Sequence, residues 1–202
     1  MGKRIRLWGL IGLGLVSTAS TPGLGQDRDT SPHEQAMMQK WAAYATPGAA
    51  HADLAEFAGD REWTSTWWMH PGAPPETSSG TSTAEMILGG RYLSETMEGT
   101  AMGQPFQGRA LTGYDNQLQE YFSVWVDNMG TGVLITRGKY DPASKALVMT
   151  GTFDDFMDGK KKPVRTVMSR VDENTTRFEM FMPGPEGKEF KTMEVVSRRE
   201  GT

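Results

Sequence analysis

Cysteine is absent from the 202 residues, which excludes a disulfide framework, thiol chemistry and any thiolate-bound metal. Histidine is scarce, and His33, His51 and His70 fall at no spacing that makes a metal site. There is no glycine-rich phosphate loop and no nucleophile elbow, and the glycines fall at turns instead. No apolar run reaches the roughly 20 residues that span a bilayer. Basic charge is also short: the formal net charge is −4, so neither nucleic acid nor an anionic membrane is an expected partner. No cofactor and no metal are called for by any motif. Without cross-links the core must hold the fold unaided, which is feasible for a chain that buries about 70% of its unfolded surface.

What the chain does have begins with a pattern of export. Lys3, Arg4 and Arg6 form a basic stretch, Leu7 to Val16 a short apolar one, and small residues follow up to Gly25. Residues 1–25 read as a signal peptide cut after Gly25, or alternatively after Ala19, which predicts a periplasmic or secreted protein with no stable membrane span after cleavage. Removing this segment removes three basic residues and no acidic ones, so the remainder is more acidic than the whole.

Residues 26–58 read as a helical segment. Ser31-Pro32-His33-Glu34 is a helix start, with Ser31 as N-cap, Pro32 at the first helical position and Glu34 completing a capping box. Met37, Trp41 and Tyr44 recur at helical spacing, and Thr46-Pro47-Gly48 ends the helix. A second short helix is predicted over 49–57 with Leu54 and Phe57 on its buried side. The pair either caps a barrel end or packs on its outside.

From residue 59 to 200 the chain changes character. Extended runs rich in β-branched and aromatic residues recur at 61–69, 79–88, 91–100, 105–114, 118–127, 131–140, 145–155, 162–171, 175–183 and 188–198. Turn residues separate them, among them Gly89-Gly90, Asp127-Asn128-Met129-Gly130, Asp158-Gly159-Lys160 and Gly184-Pro185-Glu186-Gly187. Such regular spacing, with no helices between, predicts an all-β, ten-stranded antiparallel up-and-down barrel; a two-sheet sandwich is the competitor.

Strand alternation sorts the side chains into two faces. In 118–127, Tyr121, Ser123, Trp125 and Asp127 oppose Phe122, Val124 and Val126. Phe178 and Met180 oppose Arg177 and Glu179. Several strands lack a clean apolar-in, polar-out division, which points to a cavity of mixed lining rather than a filled core. Glu85, Glu95, Glu179, Glu194, Arg109 and Arg165 fall mid-strand, where an inward carboxylate could orient a polar group or act as a general base. Asp127 and Asn128 make either a barrel-mouth feature or an ordinary turn. The candidate ligand-binding set is Tyr121, Trp125, Asp127, Asn128, Glu85, Arg165 and Glu179. The 14 methionines suit an adaptable apolar lining or plain core filling.

Several stretches together resemble a bacterial family, domain of unknown function 1579. They are Pro71-Gly72-Ala73-Pro74-Pro75, Glu85 to Leu93, Thr112-Gly113-Tyr114-Asp115-Asn116, Trp125 to Gly132 and Gly187 to Glu194. The resemblance covers roughly 45 to 198. It implies membership of the wider lipocalin-like, calycin-type barrels, which hold small molecules, and it carries no assigned site residues. Nitrobindin-like haem barrels, relatives by fold, hold iron through a strand histidine, whereas the three histidines here fall in helices and a loop. Three function classes follow. The first is a barrel that binds a small apolar or amphiphilic molecule. The second is an enzyme using an interior carboxylate, and the third is a self-associating structural protein, of which a homodimer is the simplest form.

Overall fold

The computed structural model describes residues 31–155, 157–199 and 201. The expected signal peptide lies outside the described residues. Helix α1 spans Pro32–Ala45 and α2 spans Ala49–Ala55. Ten strands follow: β1 Gly59–Trp67, β2 Glu76–Ile87, β3 Tyr92–Ala101, β4 Gln104–Asp115, β5 Glu120–Asp127, β6 Leu134–Asp141, β7 Ala146–Asp154, β8 Lys161–Arg170, β9 Thr175–Pro183 and β10 Glu189–Arg199. Each strand pairs antiparallel with the next, and β1 pairs with β10, so the sheet closes into an up-and-down barrel. Closure leaves no free edge, and ten strands exceed the eight that suffice to enclose a small ligand.

The capping box at Ser31 forms: its hydroxyl accepts from the Glu34 N–H, and the Glu34 carboxylate accepts from the Ser31 N–H at 2.8 Å. Yet α1 buries none of its residues, and Met37, Trp41 and Tyr44 stay exposed. Its C-terminal carbonyls are held from the barrel. The Asn116 amide donates to those of Ala43, Tyr44 and Thr46, and Arg91 donates to that of Ala45 at 2.6 Å. These bonds satisfy acceptors that a helix end otherwise leaves open.

The short α2 does the capping. It packs against β2, β3 and β4 at one end of the barrel. Leu54, at 1% exposure, joins Ala84, Leu93, Tyr121, Leu147 and Met149 in the buried cluster there. Phe57 packs against the same cluster, as expected from its position.

A bulge at Thr192 interrupts β10: Lys191 pairs with Phe181, but Met193 pairs with Met180. Simple alternation would put Lys191 and Met193 on one face. The extra residue instead leaves Lys191 outside, bonded to Glu179 and Glu194, and turns Met193 inside.

Candidate functional site

The barrel encloses a cavity of about 380 Å³. Its wall runs from Phe57 and Arg61 at the helix end to Trp67, Met102, Asp127 and Met129 at the other. Met102 and Met129 are exposed, so the end that α2 does not cover is the mouth. The lining is mostly apolar, with aromatic rings, thioethers and aliphatic side chains, interspersed with serine and threonine hydroxyls and three charged side chains, Arg61, Glu95 and Asp127.

Glycines set the rings in place. A Cβ at Gly80 or at Gly99 would stand 2.7 Å from the Trp63 ring, and one at Gly108 would run into that of Trp125. Glycine at these strand positions is the space into which the indoles fit. Trp63 is buried, and its N–H donates to the Thr81 carbonyl at 3.0 Å. Phe106 meets Trp63 edge-on at 5.8 Å and stacks with Trp125 at 6.3 Å. The three rings form one aromatic wall across β1, β4 and β5.

At the mouth, the Trp125 indole N–H donates to Asp127 Oδ2 at 2.7 Å, and the Met129 N–H donates to Asp127 Oδ1 at 2.9 Å. Asp127 therefore both fixes the ring and closes the turn. Asn128, beside it, points at β4. Its Oδ1 accepts from the Gln107 N–H and its amide donates to the Pro105 carbonyl, so it straps two strands and does not line the cavity.

At the inner end lie Arg61 and Glu95. Arg61 is only 2% exposed. Its Nη1 donates to the Asn174 carbonyl at 3.0 Å, while its Nε is buried with no partner. Burial and the nearby Arg199 charge depress its pKa, and Glu95 partly restores it. The Glu95 carboxyl is enclosed by the barrel, and burial pushes its pKa up, against the pull of Ser82 and Arg61. What surface Glu95 retains faces the cavity. Arg61 and Glu95 feel each other's charge without closing into an ion pair within 4.0 Å. The Ser82 hydroxyl is near enough to favour the charged carboxylate, yet it makes no hydrogen bond of ordinary geometry.

The sequence-derived candidates separate into three groups. Trp125 and Asp127 line the cavity. Tyr121 is inside but belongs to the plug: it is buried, meets Tyr114 at 4.9 Å, and its hydroxyl reaches the Ala50 carbonyl at 3.5 Å. Burial, and then the negative Asp53, push its pKa up to about 12. Glu85, Arg165 and Glu179 do not face inward. Their strand neighbours Ala84, Thr166 and Phe178 occupy the interior positions, and alternation sends all three out. Arg165 pairs with Glu189 and covers the Phe181 ring at 3.9 Å, and Glu179 accepts from Lys191 at 3.1 Å. Arg61 was no candidate in the sequence, and Glu95 stood there only as one mid-strand charge among several. Their signal was alternation on two strands: Leu93, Glu95 and Met97 share one face of β3, as Arg61 and Trp63 do on β1.

His51, in α2, also belongs to the plug. Its Nδ1 accepts the Gly48 N–H at 3.1 Å and its ring meets Tyr114 at 5.8 Å. Burial holds its pKa below the usual imidazole value, against a hydrogen bond to the Tyr114 backbone. Among the described residues no helix is long and apolar enough to cross a membrane.

A sequence model of the family described as "Protein of unknown function (DUF1579)" matches residues 46–199. The chain belongs to that family. Among solved structures it is similar to the crystal structure of Rv2717c from M. tuberculosis, with a TM-score of 0.56 and 13% identity over 77% of this chain and 99% of that one. At that identity the likeness concerns the fold alone. No curated protein matches.

Proposed function

We propose that this barrel is a binding module that encloses one small, largely apolar molecule bearing a polar end. The observation that carries the reading is the cavity itself: about 380 Å³ of space lies inside a closed barrel, within the size range of small-molecule pockets. Its aromatic and thioether walls suit an apolar body, and the few charged groups at its two ends suit a polar one. In this reading the protein works in the periplasm or is secreted, which the basic and apolar N-terminal pattern supports.

Native mass spectrometry of protein purified from the periplasm, with organic extraction of whatever accompanies it, tests the reading directly. A discrete extra mass is expected. Trp63, Trp67 and Trp125 line the cavity, so an apolar probe entering it also changes tryptophan fluorescence. A chain that purifies without ligand and whose fluorescence ignores every apolar probe overturns the proposal.

An enzyme on the same barrel is the second reading, and Glu95 favours it. A carboxyl whose pKa is raised by burial inside a cavity is the kind of group that serves as a general acid or base. Turnover of any small apolar ester or epoxide that survives in a Glu95→Gln protein counts against it.

A further inference from the structure

We propose that the inner end of the cavity is a carboxylate-binding site, in which Arg61 reads the head of an amphiphilic monocarboxylic acid whose apolar body lies along the aromatic wall. This rests on the binding reading above and specifies the polar end of the ligand.

The guanidinium supplies the first argument. Arg61 stays charged, is almost wholly buried and lines the cavity, yet its Nε–H has no acceptor. A buried donor without a partner is costly, and more so on a charged group, so native structures rarely leave one unsatisfied. A ligand oxygen completes it. Ser82, directly opposite Arg61 on β2, adds a buried hydroxyl that lies near the Glu95 carboxyl without a hydrogen bond of ordinary geometry. Guanidinium is also the side chain whose fork best matches a carboxylate.

Charge supplies the second. Arg199, the β10 partner of Arg61 in the sheet, lies close enough to act on it electrostatically. Within the cavity lining at this end Arg61 faces one carboxyl, Glu95, whose ionisation burial opposes. The other charged lining residue, Asp127, is at the mouth. A cationic head would meet Arg61, and a neutral one would leave the Arg61 guanidinium without an anion inside the cavity. A monoanion balances it, and a protonated Glu95 is itself a donor to a carboxylate oxygen.

Length supplies the third. Arg61 and Trp67 face inward on the same strand, six positions apart, which is about 20 Å of extended chain. A head at Arg61 therefore leaves room for an extended apolar body reaching past Trp63 and Trp125 to the mouth.

The test is a tryptophan-fluorescence titration of the full chain with decanoate, decan-1-ol and decylamine, three probes that share a body and differ in head. Decanoate is expected to bind about tenfold or more tighter than decan-1-ol, the size of one hydrogen bond to a charged group. Arg61→Met should remove that preference and leave decan-1-ol binding nearly unchanged. Ser82→Ala, a milder change, should narrow the preference in the same direction should the Arg61 variant not fold. Equal binding of decanoate and decan-1-ol overturns the head-group site while the cavity reading stands. Tightest binding by decylamine overturns it too and makes Glu95 the reader. If none of the three binds, the cavity reading fails and this site fails with it.

Discussion

At the helix end of the barrel Leu54 is 1% exposed, and His51, Tyr121 and Leu147 are buried around it; at the mouth Met102 is 57% exposed and Met129 45%. The first end is packed by side chains from a helix and from strands distant in sequence. The second is a rim of flexible thioethers around one fixed ring, Trp125, which Asp127 holds. The contrast shows how a barrel can be both stable and hollow. Its cooperative core is concentrated under α2, and the remaining interior is left to walls that touch one another only sideways. Substitutions at the two ends should therefore separate stability from binding.

The largest effect belongs to Leu54. Leu54→Ala removes the side chain that plugs the closed end, and should cost about 2–5 kcal/mol of stability, the usual range for a buried leucine. Chemical denaturation measures it. A loss below about 0.5 kcal/mol, the size of an ordinary surface change, would mean that the plug adds nothing to the barrel.

Next come the glycines behind the indoles. Gly80→Ala drives a methyl group into the Trp63 ring and the Glu98 backbone, and Gly108→Ala into the Trp125 ring. Each should cost about 1–3 kcal/mol by overpacking. They should differ in binding, because Trp63 lies deep and Trp125 stands near the mouth. Gly108→Ala should also shift tryptophan emission to the red as Trp125 is displaced towards solvent.

Two titrations then act with opposite sign. His51 has a folded pKa below its ordinary 6.5, so the unfolded chain binds more protons in that window, and stability falls as the pH drops below 6.5. Glu95 has a folded pKa above its ordinary 4.5, so here the folded chain binds more protons, and stability falls as the pH rises past 4.5. Melting temperatures across pH 4 to 8 check both expectations. Glu95→Gln should gain stability relative to the parent as the pH rises, and His51→Gln should flatten the acid side. A Glu95→Gln profile parallel to the parent would show that the carboxyl ionises in the folded barrel as freely as in the unfolded chain.

All ten strands were legible in the sequence because turn residues and β-rich runs are local signals, and each observed strand lies within a few residues of its expected position. Which face was inside was less legible. On β5 the uniformly apolar set, Phe122, Val124 and Val126, faces out, and the mixed set, Tyr121, Ser123, Trp125 and Asp127, faces in. A cavity reverses the usual rule, because its lining must serve a ligand rather than pack. Glu85, Arg165 and Glu179 looked equivalent to Glu95, and only the parity of each strand against its neighbours distinguishes them. Arg61 was hidden for a different reason. Its hydrogen-bond partner Asn174 is 113 residues away, and the two meet only when β10 closes on β1.

The smallest expected effect on stability, and the sharpest test of the contrast, lies at the mouth. Met102 and Met129 line the cavity but are exposed, so replacing both with serine should change stability by no more than about 0.5 kcal/mol each. Their thioethers nonetheless form the apolar rim past which any ligand must move, and serine replaces that surface with hydroxyls. Binding of an apolar probe should weaken several-fold while the melting temperature stays in place, the reverse of what Leu54→Ala does. If instead the double variant melts early, the rim is part of the folding core, and the division between a closed end that stabilises and an open end that binds does not hold.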